Sequence, residues 1–260
     1  MIDVLVNGAA GRMGREVVRT LTAADNIRTV AAVDPGHDGR PVDDGAGGEL
    51  ICSADLAAAL EASRPAVMVD FTHPDAVEEN LRLALAAGVH CVLGTTGVAE
   101  ERLRELSGGA PDVCLFVAPN FAIGAVLMMR FAQEAARFMP HVEIIELHHD
   151  HKADAPSGTA LRTASLIAAS RGDAPASPGR ETELAEGARG ALVNDVCIHS
   201  VRLPGLVAHQ EVIFGGQGQT LTVRHDSIDR TSFMPGVVLA VREVVSRSGL
   251  IIGLENLMGA

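Results

Sequence analysis

Apolar residues occur in short unbroken runs separated by segments of helical period, and this rhythm sets the first expectations. Residues 2–7 centre on the run Val4-Leu5-Val6 and read as a short buried strand. Gly8, Gly11 and Gly14 follow, and then Val17, Val18 and Leu21 recur at the spacing of one helix face, so the order is strand, glycine turn, helix. Residues 28–33 predict a second strand, and the glycine-dense stretch 35–48 reads as a mobile loop. Runs at 66–71, 89–94 and 113–118 predict further strands, separated by helices over 76–87 and 99–107. Strands alternating with helices imply a parallel, doubly wound α/β sheet.

After Pro119 the rhythm changes. Ile123, Leu127, Phe131, Ala135 and Phe138 mark a long helix, residues 142–147 a strand and residues 157–170 another helix. Residues 171–190, rich in Gly, Pro, Ala and Glu, read as a surface loop, and strands at 196–202, 210–214 and 220–226 follow without intervening helices. That predicts a mixed or antiparallel sheet in a second, α+β domain. A helical pattern returns over 233–245, residues 250–254 are too short a run to classify, and there is no internal repeat.

The chain has 260 residues, enough for one large domain or two small ones, with 47% hydrophobic and 21% charged residues. With 21 basic against 33 acidic side chains, no Trp, no Tyr and seven Phe, it offers neither the basic surface nor the stacking platform that nucleic acid needs. The apolar run 121–129 is ended by Arg130, far short of the ~20 residues of a membrane span. No basic start followed by an apolar stretch and a cleavage site is present, so a cytoplasmic address is expected. Cys52, Cys91, Cys114 and Cys197 are scattered without a CxxC pair and are expected to be buried, reduced thiols.

Two absences bear on chemistry. Without tyrosine, the tyrosine-plus-lysine catalysis of short-chain dehydrogenases has no acid. Lys152 is the one lysine beside 20 arginines, and a compact ammonium with a tunable proton does what a planar guanidinium does not. Between the first strand and helix, the Gly8, Gly11, Gly14 spacing lets backbone N–H groups approach a pyrophosphate at a helix N-terminus. Asp34 ends the second predicted strand 20 residues after Gly14, where a carboxylate can accept from ribose hydroxyls. Later strands end in Asp70-Phe71-Thr72-His73-Pro74, Gly94-Thr95-Thr96-Gly97 and Ala118-Pro119-Asn120-Phe121, the edge at which open α/β sheets bind ligands.

The densest constellation spans residues 146–159 and holds three of the ten histidines together with Lys152. Zinc is a rival reading of its histidines and aspartates, but no cysteine is near and the spacing fits no common zinc motif; no metal is assigned. His148 and Lys152 form an acid pair able to donate protons near neutral pH. Ser157, Gly158 and Thr159 open a helix and present N–H groups and hydroxyls to a carboxylate. With His149 and Lys152 they favour a small anionic substrate carrying two carboxylates.

These motifs resemble the 4-hydroxy-tetrahydrodipicolinate reductase (dihydrodipicolinate reductase) family of lysine and diaminopimelate biosynthesis. The resemblance rests on GAAGRMG at 8–14, VDFTHP at 69–74, GTTG at 94–97, APNFAIG at 118–124, ELHHDHKADAPSGTA at 146–160, VRLPGLVAHQEV at 201–212 and RTSF at 230–233. It implies a Rossmann-like dinucleotide domain of residues 1–119 and 230–260, and a domain of residues 120–229 for substrate binding and homotetramer formation. It further implies that Gly8, Ala9, Ala10, Gly11, Arg12, Met13, Asp34, Gly94, Thr95, Thr96, Ala118, Pro119, Asn120 and Phe121 hold NADH or NADPH. His148 and Lys152 would be the acid groups, and His149, Ser157, Gly158 and Thr159 would hold the substrate. Several family members follow the strand-end acid with an arginine that pairs with a 2′-phosphate; here Pro35 follows Asp34, and Arg12, His37 or Arg40 is left to compensate. Two other readings are a dinucleotide-sensing regulator without catalysis, against which the intact acid pair argues, and an amino-acid dehydrogenase such as aspartate dehydrogenase, against which the Ser157-Gly158-Thr159 block argues.

Overall fold

The computed structural model describes residues 1–95, 97–173, 175 and 182–259. The chain divides into two compact units, Met1–Ala122 with Arg230–Ala260, and Ile123–Asp229. The division falls at 122/123 where the sequence expectation put it at 119/120. Phe121 and Ala122 are buried, and Phe121 packs against Phe71 and Phe116 of the first unit.

The first unit is built on β1 (Ile2–Asn7), β2 (Ile27–Val33), β3 (Pro41–Asp43), β4 (Glu49–Ser53), β5 (Val67–Asp70), β6 (His90–Leu93), β7 (Cys114–Val117) and β13 (Gly249–Ile252). Their order is β13-β7-β6-β5-β1-β2-β4-β3, parallel throughout except for the antiparallel β3 edge. On one face pack α1 (Arg12–Ala23) and α7 (Met234–Val244), on the other α2 (Leu56–Ser63), α3 (Pro74–Ala86) and α4 (Glu100–Gly108). Covered on both faces, β1 and β5 are apolar without alternation. Chain order reverses at β1, which pairs with β2 on one side and β5 on the other. That is the switch point where such sheets leave a crevice.

The second unit contains α5 (Ile123–Ala136), β8 (His141–His148), α6 (Gly158–Arg171), β9 (Ala191–Val193), β10 (Val196–Arg202), β11 (Ala208–Gly216) and β12 (Gln219–Ser227). Its sheet has the order β12-β11-β8-β10-β9, with β10 and β8 parallel and the other pairs antiparallel, so it is mixed. Ile144, Ile198, Val212 and Phe214 are fully buried on the face that α5 and α6 cover. Two polar residues, Glu146 and Gln210, share this buried face, and the Gln210 amide donates to Thr163 Oγ1 of α6 at 2.8 Å. Ile145, Leu147 and Ile213, which alternate with them, are half-exposed on the opposite face.

Some local expectations need correction. The predicted loop 35–48 contains a short 3-10 turn and β3, which folds back on β4. Its only buried apolar side chain is Val42, so no hydrophobic pattern announces it. The β4–α2 pair continues the alternation unannounced by the sequence reading, and the unclassified run near 250 is β13. Of the predicted loop 171–190, residues 174 and 176–181 lie outside the described residues. No helix among the described residues is long and apolar enough to cross a membrane. Cys52, Cys91 and Cys114 are buried free thiols, and burial pushes Cys114 up to about 11.

The start of α1 lies hard against the turn that precedes it. Gly8 has φ +78°, and a Cβ on Gly14 would stand 2.0 Å from the Gly8 carbonyl oxygen. Backbone cannot yield as a flexible side chain can, so Gly14→Ala is expected to cost about 1–3 kcal/mol and to lower the Tm by several degrees. Thermal unfolding followed by circular dichroism measures this. The control, Gly108→Ala, meets nothing within 4 Å and is expected to leave the Tm unchanged or slightly raised.

Candidate active site

In the first unit a cavity of about 400 Å³ opens at the carboxyl ends of the strands, lined by Gly8, Gly11, Asp34, Phe71 and Thr72 among others. Gly11 is the N-cap of α1 and makes no side-chain cap, so the helix start presents its N–H groups and positive dipole end to a ligand. Gly8 and Ala9 donate to the Val33 carbonyl at 2.8 and 3.0 Å, which fixes the turn against β2. Asp34 Oδ2 accepts from Ala10 N–H at 3.1 Å and Oδ1 from Gly36 N–H at 3.0 Å. Each oxygen keeps a further lone pair for a ligand hydroxyl. A cradle in which a Cβ at Gly8 would stand 2.7 Å from the Phe71 carbonyl oxygen, floored by a strand-end carboxylate, fits a dinucleotide.

The other expected cofactor residues are placed as follows. Arg12 is exposed, Met13 is half-buried and Ala9 is buried. Gly94 lies under the Phe71 ring, where a Cβ would come within 2.1 Å of it. Thr95 is buried with its hydroxyl donating to Asp70 Oδ1 at 3.0 Å. Ala118 and Phe121 are 3% exposed, so they offer a ligand mainly backbone, whereas Pro119 is exposed and Asn120 Oδ1 accepts from Ala122 N–H at 2.8 Å. Thr96 lies outside the described residues.

In the second unit β8 delivers His148 with its Nδ1 2.5 Å from Glu146 Oε2. Glu146 is fully buried. Arg202, opposite His148 on β10, meets both Glu146 oxygens at 2.8 Å, and Ser157 N–H donates to Oε1 at 3.2 Å. Burial works to raise the Glu146 pKa, but hydrogen bonds from Arg202, Ser200 and His148 outweigh it and hold the carboxyl below its ordinary range. His148 is lowered, chiefly by burial; Glu146 works against the shift, and the charges of Lys152 and Arg202 reinforce it. With Nδ1 committed to Glu146, Nε2 is the nitrogen that faces a ligand.

Lys152 therefore lies within electrostatic reach of His148, and its ammonium donates to Asp154 Oδ1 at 2.7 Å. His149 is exposed. Ser157 caps α6, its Oγ accepting from Ala160 N–H at 3.2 Å, so both its N–H and its Oγ are engaged within the fold. Gly158 is exposed, and its α-carbon faces open space. Thr159 stands next to it in the first turn of α6. Sequence reasoning gave no role to Glu146 or Arg202. Glu146 is two residues before His148 on one strand, and period two puts both on one face. Arg202 is found only through the β8–β10 register.

Because the Glu146 charge raises the His148 pKa, Glu146→Gln is expected to move the His148 midpoint further down. An NMR titration of the histidine Cε1 protons reads this directly, and an unchanged or higher midpoint would contradict the assignment. Leaving Arg202 without its carboxylate should also lower the Tm, since breaking a buried pair costs about 3–5 kcal/mol.

Comparison with known proteins adds the lineage. Family models described as dihydrodipicolinate reductase, N-terminus and C-terminus, match residues 2–121 and 124–258. A 4-hydroxy-tetrahydrodipicolinate reductase of Moorella thermoacetica is 53% identical over 264 residues, covering 99% of this chain and 98% of its own. One from Mycobacterium sp. (strain KMS) is 51% identical over 256 residues, 97% of each chain. The solved structure of dipicolinate-bound dihydrodipicolinate reductase from Paenisporosarcina sp. TG-14 superposes with a TM-score of 0.89 at 44% identity, covering 99% of this chain and all of its own. An amine dehydrogenase from Mycobacterium smegmatis, at 14% identity and TM-score 0.65, shares the fold. With matches of this extent in both halves, the chain belongs to the dihydrodipicolinate reductase family.

Proposed function

We propose that this protein reduces 4-hydroxy-tetrahydrodipicolinate (dihydrodipicolinate) to tetrahydrodipicolinate with NADH or NADPH, in lysine and diaminopimelate biosynthesis. The observation that carries the reading is the buried Glu146–Arg202 clamp that aims His148 beside Lys152 and the start of α6. The reading draws further support from full-length relatives bearing that name and from a relative bound to dipicolinate, a planar pyridine dicarboxylate. The unit of Met1–Ala122 and Arg230–Ala260 serves the nucleotide in this reading, and the unit of Ile123–Asp229 the substrate.

The overall change adds a hydride and a proton to the cyclic imine and releases one water. A bound reduced nicotinamide supplies the hydride. The glycine turn and the α1 N-terminus hold the pyrophosphate, and Asp34 accepts from the ribose. His149, Gly158, Thr159 and the Lys152 ammonium draw in the substrate carboxylates. That negative charge opposes the burial that keeps His148 neutral, so the imidazole gains a proton at Nε2 as the substrate arrives, while Glu146 holds Nδ1–H and steadies the cation. His148, aided by Lys152, then passes the proton to the ring.

A homotetramer formed through the open face of the second sheet is part of this reading. Half-exposed Ile145, Leu147 and Ile213 support it, since among the described residues the helices of that unit pack on the opposite face. A cytoplasmic location accords with a biosynthetic reductase.

The test is steady-state reduction of enzymatically generated substrate with each nucleotide. NADH is expected to serve at least as well as NADPH, because Asp34 accepts from a free 2′-hydroxyl but repels a 2′-phosphate and Pro35 adds no counter-charge. A preference for NADPH of roughly tenfold or more would overturn that expectation, and no turnover with either would overturn the function.

Lys152 gives a sharper test. Lys152→Ala should lower kcat by ~10²-fold to 10⁴-fold with nucleotide affinity nearly unchanged, because the nucleotide is held by the other unit. Lys152→Arg keeps the charge but replaces a compact donor by a planar group that does not release its proton. Near-native kcat in that variant would reduce Lys152 to an electrostatic anchor.

A further inference from the structure

At the carboxyl end of β5 lies a second buried carboxylate that the reaction scheme does not use. Asp70 is 0% exposed and accepts five hydrogen bonds. Oδ1 receives Thr72 N–H at 3.0 Å, the Thr72 hydroxyl at 2.7 Å and the Thr95 hydroxyl at 3.0 Å. Oδ2 receives the Asn7 and Asn80 side-chain amides, both at 2.9 Å. Asn80 also reaches Thr72 Oγ1 at 3.1 Å. The donors come from the end of β1, the loop after β5, α3 and the loop after β6. All five are uncharged.

Both oxygens of Asp70 face N–H donors in the protein interior, and no cation is among its five partners. Its field is felt nearby: burial first, and the charge of Asp70 second, push the Cys91 thiol up. Backbone bonds run through the same seam. Phe71 N–H donates to the Asn7 carbonyl at 3.1 Å and Gly94 N–H to the Asp70 carbonyl at 2.9 Å. Asn7, Thr72 and Asn80 line the cavity beside Gly8 and Asp34. One anion thus ties together the turn that begins at Gly8 and the two loops on the other side of the switch point.

We propose that Asp70 is a positioning residue for the dinucleotide: it locks the loops after β1, β5 and β6 in their binding arrangement, and its uncompensated charge favours an oxidised, cationic nicotinamide over the neutral reduced one. The proposal rests on the dinucleotide reading of this unit. A cationic ring held by the loops after β5 and β6 would be attracted by a carboxylate that water does not screen. Relative stabilisation of the oxidised form lowers the cost of hydride departure, so the charge works in the direction of reduction.

Asp70→Asn keeps the shape, removes the charge and turns one acceptor into a donor facing other donors. Calorimetric titration of NADH and NAD⁺ against both proteins reads the effect without turnover. The variant is expected to bind NADH roughly tenfold more weakly, the consequence of donors left unanswered, and NAD⁺ more weakly still, moving the affinity ratio by roughly three- to tenfold. A merely structural role would weaken both nucleotides by one factor. NADH affinity within about twofold of wild type, or an unchanged ratio, overturns the proposal. The paired variant Asn7→Asp/Asp70→Asn returns a carboxylate to the cluster and is expected to restore most of the affinity and the ratio. If the single variant does not fold, the pair decides: near-native NADH binding supports the proposal, and a folded pair that does not bind overturns it. Wild-type protein that bound neither nucleotide would overturn the dinucleotide reading itself, and the proposal with it.

Discussion

A carboxylate taken out of water must have its lone pairs answered by donors, because an unanswered buried charge costs more than most single interactions return. Each unit of this protein is organised around one such group, and each answers it differently. Glu146 is met by a bidentate arginine, an imidazole and a backbone N–H, so its charge is balanced and the partners are fixed in angle. Asp70 is met by amides and hydroxyls, so its geometry is satisfied while its charge is not. The first arrangement aims a side chain. The second ties loops together and leaves a field.

Around these anions the backbone is brought close wherever a side chain would intrude. Gly14 presses α1 onto the Gly8 carbonyl, and Gly236 presses α7 onto the Phe121 carbonyl, where a Cβ would also stand at 2.0 Å. The second contact explains why the last thirty-odd residues return to the first unit: α7 needs the buried edge of the 121 loop, and β13 then pairs with β7 to extend the sheet. Phe121 stands at the meeting of these contacts, against Phe71 and Phe116. An apolar floor under the strand ends keeps water from competing for their hydrogen bonds.

Much of this was legible in the sequence. Strands buried on both faces need no partner to be recognised, so β1, β5, β6 and β7 lie within a residue or two of their apolar runs. The glycine spacing and Asp34 mark their turn because a conformational need and a charge coincide there. Asp70 lies in the VDFTHP run, whose spacing gives it no role, since its donors are 63, 10 and 25 positions away as well as local. Arg202 needs the β8–β10 register before it can be placed beside His148. β3 escaped because three residues with one buried side chain carry no period. What the sequence left unread is what depends on pairing across the fold.

The composition can now be read as a division of labour between cations. Arg202 spends its fork on Glu146 and on the Val201 and Asp154 carbonyls, a task that suits a rigid planar group whose proton is never at issue. Elsewhere arginines hold carboxylates on the surface, as Arg28 does Asp3 and Arg102 does Glu78. Lys152 is paired to a carboxylate that is 59% exposed, where water weakens the attraction. A ligand carboxylate can therefore compete for it with little loss. A guanidinium at 152 would repeat the Arg202 charge in a wider, planar head. In the proposed reading the lone lysine supplies a compact cation that a ligand can draw away from its partner, where a fixed fork would hold on.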